Sequence, residues 1–130
     1  MNNAIIGLGS NINPARNIEK ALNTLSETFQ KVALSEFVET EPFGFKEQNN
    51  FINGCIQIKT ELELTQFQRT LKTMEKQLGR TPSKIKFGPK IIDLDVVVWN
   101  FEIIDQDFFK RDYLKNSILE LIPNLTYSYP

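Results

Sequence analysis

Asp93-Leu94-Asp95 sets two carboxylates two residues apart in the otherwise apolar run from Ile91 to Trp99. On a strand, side chains two apart share a face and stand roughly 6.5–7 Å from each other. Two negative charges on a half-buried strand call for a cation. Magnesium prefers oxygen ligands, and a carboxylate pair completed by substrate phosphates can hold two such ions. The tripeptide alone also describes two solvated aspartates on an open sheet face. The preceding segment bears on that choice: Gly79 to Lys90 reads Gly-Arg-Thr-Pro-Ser-Lys-Ile-Lys-Phe-Gly-Pro-Lys, with four cations, no acid and the punctuation of a loop. A basic loop leading into paired carboxylates fits a polyphosphate whose charge is shared between metal and Arg or Lys side chains. On its own, such a loop is equally a solvated surface.

A further pair lies on a second strand-like segment. Phe51 and Asn53 fall opposite Ile52, Ile56 and Ile58, so an aromatic ring and an amide leave the core side together. That combination suits a flat heteroaromatic ligand, stacked on the ring and read by the amide, although it is also ordinary strand decoration.

Composition narrows the chemistry. The 130 residues contain no histidine, which removes Ser-His-Asp triads, Cys-His pairs and histidine zinc sites. Cys55 is the only cysteine and sits in an apolar strand, the setting of a small core residue. Net charge is −1, so attraction to nucleic acid has no general source, and a single-stranded RNA platform built on Phe51 is disfavoured. With 41% apolar and 24% charged residues and no long apolar run, the chain reads as a cytoplasmic globular protein with no membrane or nucleic-acid partner. One domain over 1–130 and a monomeric state are expected.

The elements that must position these groups follow from periodicity. Residues 4–9 form a buried strand ending in Gly9-Ser10-Asn11. Asn13 and Pro14 supply a cap and a first-turn proline for a helix over 14–29, with Ile18, Ala21, Leu22, Leu25 and Phe29 at helical spacing. Residues 31–40 and 50–60 predict strands around the turn at Glu41-Pro42-Phe43-Gly44. Leu64, Phe67, Leu71, Met74 and Leu78 predict a helix over 64–78, closed by Gly79. Strand 91–99 should turn Ile92, Leu94, Val96 and Val98 to one face, and Ile91, Asp93, Asp95, Val97 and Trp99 to the other. A short helix near 112–122 ends the chain. The order predicts an α+β ferredoxin-like sandwich, a four-stranded antiparallel sheet (βαββαβ) with helices on one face and the other face free to bind something.

Taken together, the segments resemble the 6-hydroxymethyl-7,8-dihydropterin pyrophosphokinases of folate biosynthesis. The similar segments are Ile6-Gly7-Leu8-Gly9-Ser10-Asn11, Thr40-Glu41-Pro42-Phe43-Gly44, Phe51-Ile52-Asn53, Glu75 through Arg80, and Phe87-Gly88-Pro89-Lys90 followed by Asp93-Leu94-Asp95. The likeness runs over about residues 4–100 and resumes from Arg111 to Pro123. It implies transfer of pyrophosphate from ATP to the hydroxymethyl group of the pterin, releasing AMP. It further implies two magnesium ions on Asp93 and Asp95. Thr40, Phe43, Phe51, Asn53 and Tyr113 would surround the pterin, with Phe51 and Tyr113 stacking on its two faces. Glu75, Arg80, Phe87, Lys90 and Arg111 would contact ATP, with Arg80, Lys90 and Arg111 balancing phosphate charge. Loop 79–90 would close over the nucleotide.

The chain departs from the family pattern where a His-Pro segment usually precedes the position of Arg111: here Asn100 to Lys110 is shortened and has no histidine. Pro82 replaces a second loop arginine, Lys90 replaces the arginine after Gly-Pro, and Phe87 replaces a tryptophan. Lysine offers a point charge where arginine offers a two-pronged contact. A non-catalytic or slow pterin- or nucleotide-binding relative is therefore the competing expectation.

Overall fold

Alternating and helical apolar spacings become four longer strands and three principal helices in the computed structural model, which describes residues 1–81 and 87–130. The chain runs β1 (Asn2–Ser10), α1 (Pro14–Thr28), β2 (Gln30–Leu34), β3 (Val38–Thr40), β4 (Phe51–Thr60), α2 (Leu64–Gln77), β5 (Asp93–Trp99), β6 (Glu102–Ile103), α3 (Asp107–Lys110) and α4 (Asp112–Leu121). The pairings of the sheet are antiparallel. β1 lies at its centre between β4 and β5, β2 and β3 both pair with β4, and β6 pairs with the far end of β5.

The described residues thus hold six strands, not the expected four. The expected strand 31–40 is interrupted at 35–37, where Ser35 exchanges hydrogen bonds with Cys55 and Phe37 packs against the core. The hairpin between β5 and β6 carries Asn100 and Phe101 at φ 48° and 67°. Such turns usually announce themselves as Asn-Gly, and Phe101 stands in the glycine's place, so the signal is hidden. Asn13 occupies the start of α1 in a left-handed conformation (φ 41°) without the expected side-chain cap; Asn17 donates back to the Ile12 carbonyl instead.

α1 and α2 lie on one face. Ile18, Ala21 and Leu25 of α1 and Phe67, Leu71 and Met74 of α2 pack on Ala4, Ile6, Leu8, Ile56, Ile58, Leu94 and Val96. The expected alternation of β5 breaks after Val96. The step from Ile6 to Ile5 in β1 is matched by two residues in β5, Val96 to Val98, so Val97 is an extra residue. This bulge reverses the pleat: Val98 joins Val97 on the second face, while Trp99 crosses to the α1/α2 core and stacks on Phe67 with ring centroids 5.6 Å apart.

The second face is not free, as expected from the sequence, but half covered. Phe108 of α3, Ile118 of α4 and Leu125 pack on Ile5, Cys55, Val97 and Val98. The cover stops short of the end that carries Phe51, Asn53, Asp93 and Asp95, and the site lies there.

Candidate active site

A glycine floor underlies the site. On β1, Gly9 pairs with Asn53 of β4 on one side and Asp93 of β5 on the other, and Gly7 pairs with Cys55 and Asp95 in the same way. A Cβ on Gly9 would come within 2.6 Å of the Asn53 Oδ1 atom. Glycine therefore lets the Asn53 amide lean across the central strand toward the carboxylates. Asn53 Nδ2 donates to the Thr40 hydroxyl, which fixes the amide against β3.

Beyond Asp93 and Asp95, β6 pairs with Val98 and Trp99, so among the described residues the earlier part of the β5 edge has no strand neighbour. Side chains from α2 fill that role. Glu75, only 4% exposed, accepts from the Leu94 N–H at 2.7 Å, and Lys72 donates to the Leu94 carbonyl at 3.1 Å. The backbone between the two aspartates is thus clamped by a buried carboxylate and an amine. The same groups extend to the site: Lys72 Nζ lies 3.0 Å from Asp95 and 3.2 Å from Glu75, and Arg80 lies 2.7 Å from Asp93 and 2.9 Å from Glu75.

Three carboxylates held by two cations leave excess negative charge. Burial, then the charge of Asp93, pushes the Asp95 carboxyl up to about 7 despite Lys72. For Asp93, burial acts upward, but a hydrogen bond from Asp95 and the Arg80 and Lys72 charges outweigh it and hold the group below its ordinary value. A cation placed between the two carboxylates would relieve the repulsion that raises Asp95. Hard oxygen donors, mutual repulsion and side chains still 38% and 43% accessible fit a divalent ion such as magnesium, with remaining ligands from water and phosphate. Among the described residues no cluster of three or more metal-ligating side chains occurs.

A cavity of about 600 Å³ opens beside the pair. Its wall brings together Thr40, Phe43, Phe51, Asn53 and Tyr113 with Arg80, Phe87, Lys90, Arg111 and Asp93. Arg111 lies over Phe43, its guanidinium carbon 3.7 Å from the ring centre, and Phe87 meets Phe43 edge-on at 5.2 Å. Burial pushes the Tyr113 phenol upward, which keeps its proton available for donation. Asp95 faces a smaller recess toward α4 and also a groove of about 290 Å³ on the outer side of β5, lined by Gln68, Leu71, Lys72, Val96 and Gln106. The carboxylate pair therefore stands between two concavities.

Two expected site residues do not line the large cavity: Glu75 lies behind its wall, and Asp95 faces the recess and the outer groove instead. The expected closing loop 79–90 includes residues 82–86, which lie outside the described residues. Sequence reasoning did not single out Lys72, the glycine floor, or Asp105 and Asp107. The last two arrive on the shortened segment 100–110, which folds as β6 and α3; Asp107 lines the large cavity and both line the recess. Burial pushes the Cys55 thiol up to about 12, so it remains protonated and takes no nucleophilic part.

Comparison with known proteins agrees with the geometry. The family model for 7,8-dihydro-6-hydroxymethylpterin-pyrophosphokinase matches residues 5–123. The chain is 31% identical to a 2-amino-4-hydroxy-6-hydroxymethyldihydropteridine pyrophosphokinase of Aquifex aeolicus, across 94% of this chain and 81% of that protein. It is 35% identical to the Bacillus subtilis protein of the same name, across 82% of this chain and 66% of the other. The folic acid synthesis protein fol1 of Schizosaccharomyces pombe is 29% identical over 97% of this chain, which spans 19% of that longer protein.

Proposed function

The chain belongs to the 7,8-dihydro-6-hydroxymethylpterin-pyrophosphokinase family, and we propose that it transfers the pyrophosphoryl group of ATP to the hydroxymethyl oxygen of a dihydropterin within the cavity beside Asp93. The observation that carries the reading is that cavity: aromatic rings, an anchored amide, five cations (Lys46, Arg80, Lys90, Lys110 and Arg111) and a carboxylate of the Asp93/Asp95 pair share one wall. The sheet order of the four longer strands, β2-β4-β1-β5 with α1 and α2 on one face, supports reading the frame as a ferredoxin-like sandwich to which β3, β6, α3 and α4 are added. Residues 1–130 are read as a single such unit acting as a cytoplasmic monomer. Among the described residues no helix is long and apolar enough to cross a membrane.

The flat pterin would lie on the Gly9 floor between Phe51 and Tyr113, beside Phe43, with Asn53 and Thr40 reading its ring edge. ATP would approach from the nucleotide side, its phosphates met by Arg80, Lys90 and Arg111. The hydroxymethyl oxygen gives its proton to solvent water and forms a bond to the β-phosphorus as the bond from that phosphorus to the α-phosphate oxygen breaks, and AMP leaves with that electron pair. Two magnesium ions on Asp93 and Asp95 would supply Lewis-acid activation of the alcohol and neutralisation of the phosphates. With no histidine in the chain, acid–base work rests on positioning and charge. Arg80 bridges Glu75 and Asp93, so Glu75 acts on the nucleotide by fixing Arg80 and Lys72 from behind rather than by contact.

The test is AMP release from ATP with magnesium, with and without 6-hydroxymethyl-7,8-dihydropterin. Pterin-dependent AMP that disappears with a chelator is expected. Pterin binding without AMP would contradict transfer and establish the non-catalytic relative, the reading favoured by a segment 100–110 that reaches the site with aspartates and no histidine.

A further inference from the structure

We propose that Asn11 and Gln48 are a positioning pair that couples the pterin side of the cavity to its nucleotide side, an inference that rests on the proposed function for the identity of its ligands.

Asn11 follows directly on β1 and is only 2% exposed, and its backbone N–H and both polar atoms of its side chain are used across segments distant in sequence. Its N–H donates to the Lys90 carbonyl at 3.1 Å, and its Oδ1 accepts from the Lys90 N–H at 2.9 Å. Its Nδ2 donates to Gln48 Oε1 at 2.8 Å and to the Asn49 carbonyl at 3.0 Å. Gln48 completes the span, with Nε2 donating to the carbonyls of Phe45 and Phe87, each at 2.6 Å. Two amide side chains thereby tie segment 40–50, which carries Thr40 and Phe43, to segment 87–90, which carries Phe87 and Lys90. The segments also meet directly: Gly44 holds φ +80°, and a Cβ there would sit 2.6 Å from the Phe87 ring. Neither Asn11 nor Gln48 lines the large cavity, so both act through the residues they hold.

An order imposed on one segment is transmitted to the other because the amides leave few alternative partners in a half-buried seam. Ligand contact with Phe43 would act on Phe87, whose ring it meets and whose carbonyl Gln48 holds, and Gln48 in turn holds the Asn11 amide that receives the Lys90 N–H.

Gln48→Ala removes both donors at a half-buried loop position where folding should survive, which a near-native melting temperature confirms. Gln48→Glu keeps the length and the acceptor that Asn11 uses but loses both donors. For each protein, the dihydropterin Kd is measured with and without a non-hydrolysable ATP analogue plus magnesium, and exchange of the Lys90 amide is followed by NMR without ligand. We expect the native protein to bind pterin more tightly with the analogue present. Both variants should lose that enhancement by on the order of tenfold, with faster Lys90 exchange and smaller changes in either ligand's separate Kd. Retained enhancement in both variants, or equal weakening of both ligands with the enhancement intact, would overturn the coupling role. Absence of enhancement in the native protein would overturn it too, whatever the turnover. Enhancement that depends on Gln48 in a native protein releasing no AMP would leave the inference standing and remove the proposed reaction.

Discussion

The two faces of the sheet differ in what they demand of the same strands. Toward α1 and α2 the surface is continuous and apolar, from Ala4 and Ile6 through Ile58 to Leu94, and is filled by Phe67, Leu71 and Leu25. Toward α4 it is apolar for half its extent, and then glycines, amides and aspartates replace bulk. One face is arranged to lose water completely; the other keeps a wet margin in which like charges crowd. Stability should therefore concentrate on the first and chemistry on the second.

The largest expected effect tests the apolar side. Phe67 is fully buried against Phe29 and Trp99, so Phe67→Ala should cost about 3–5 kcal/mol in urea unfolding while leaving kcat per folded molecule near native. A cost under about 1 kcal/mol would mean that α2 packs elsewhere in solution. On the other face, Gly9→Ala should cost about 1–3 kcal/mol of pterin binding, read by calorimetry, because its Cβ meets Asn53 at 2.6 Å. A smaller loss of folding stability than of affinity is the outcome that keeps the two faces distinct. The smallest effect concerns Lys72, 51% accessible and paired with Asp95. Lys72→Ala should tighten magnesium binding by only a few-fold, about 1 kcal/mol or less, since it removes a competing cation from an exposed pair. Weaker magnesium binding would instead make Lys72 an orienting group for Asp95.

This contrast also decided what could be read in advance. Helices α1, α2 and α4 follow from apolar spacing, and Asp93, Asp95, Phe51 and Asn53 follow from a two-residue period, because both are local. The bulge at Val97 was not legible: it comes from a one-residue mismatch between β1 and β5, and every residue near it is an acceptable strand former. β6 was hidden by Phe101 in a position where glycine usually signals the turn, and α3 is too short to show a period. The clamp on Leu94 and the Asn11–Gln48 seam join residues 19 to 79 positions apart, and no local pattern marks such partners. The resemblance named the residues proposed to meet ligands, whereas the groups that hold them in place became visible only in three dimensions.

The central claim is that the Asp93/Asp95 pair gives up stability to provide a cation and phosphate site. Asp95 binds its proton more tightly folded, near pH 7, than at the ordinary 3.8 of an unfolded chain. Metal-free protein should therefore lose stability as pH rises from about 4 to about 7, with Asp93, held low, adding a loss only as pH falls below its ordinary value. The most direct test is Asp95→Asn, with melting at about pH 8 without metal and pterin-dependent AMP release with magnesium measured on the same preparation. The account predicts a variant more stable than the native protein by on the order of 1–2 kcal/mol after solvent screening, with turnover down by on the order of 10³-fold. A variant that is less stable and still turns over at the native rate would contradict it.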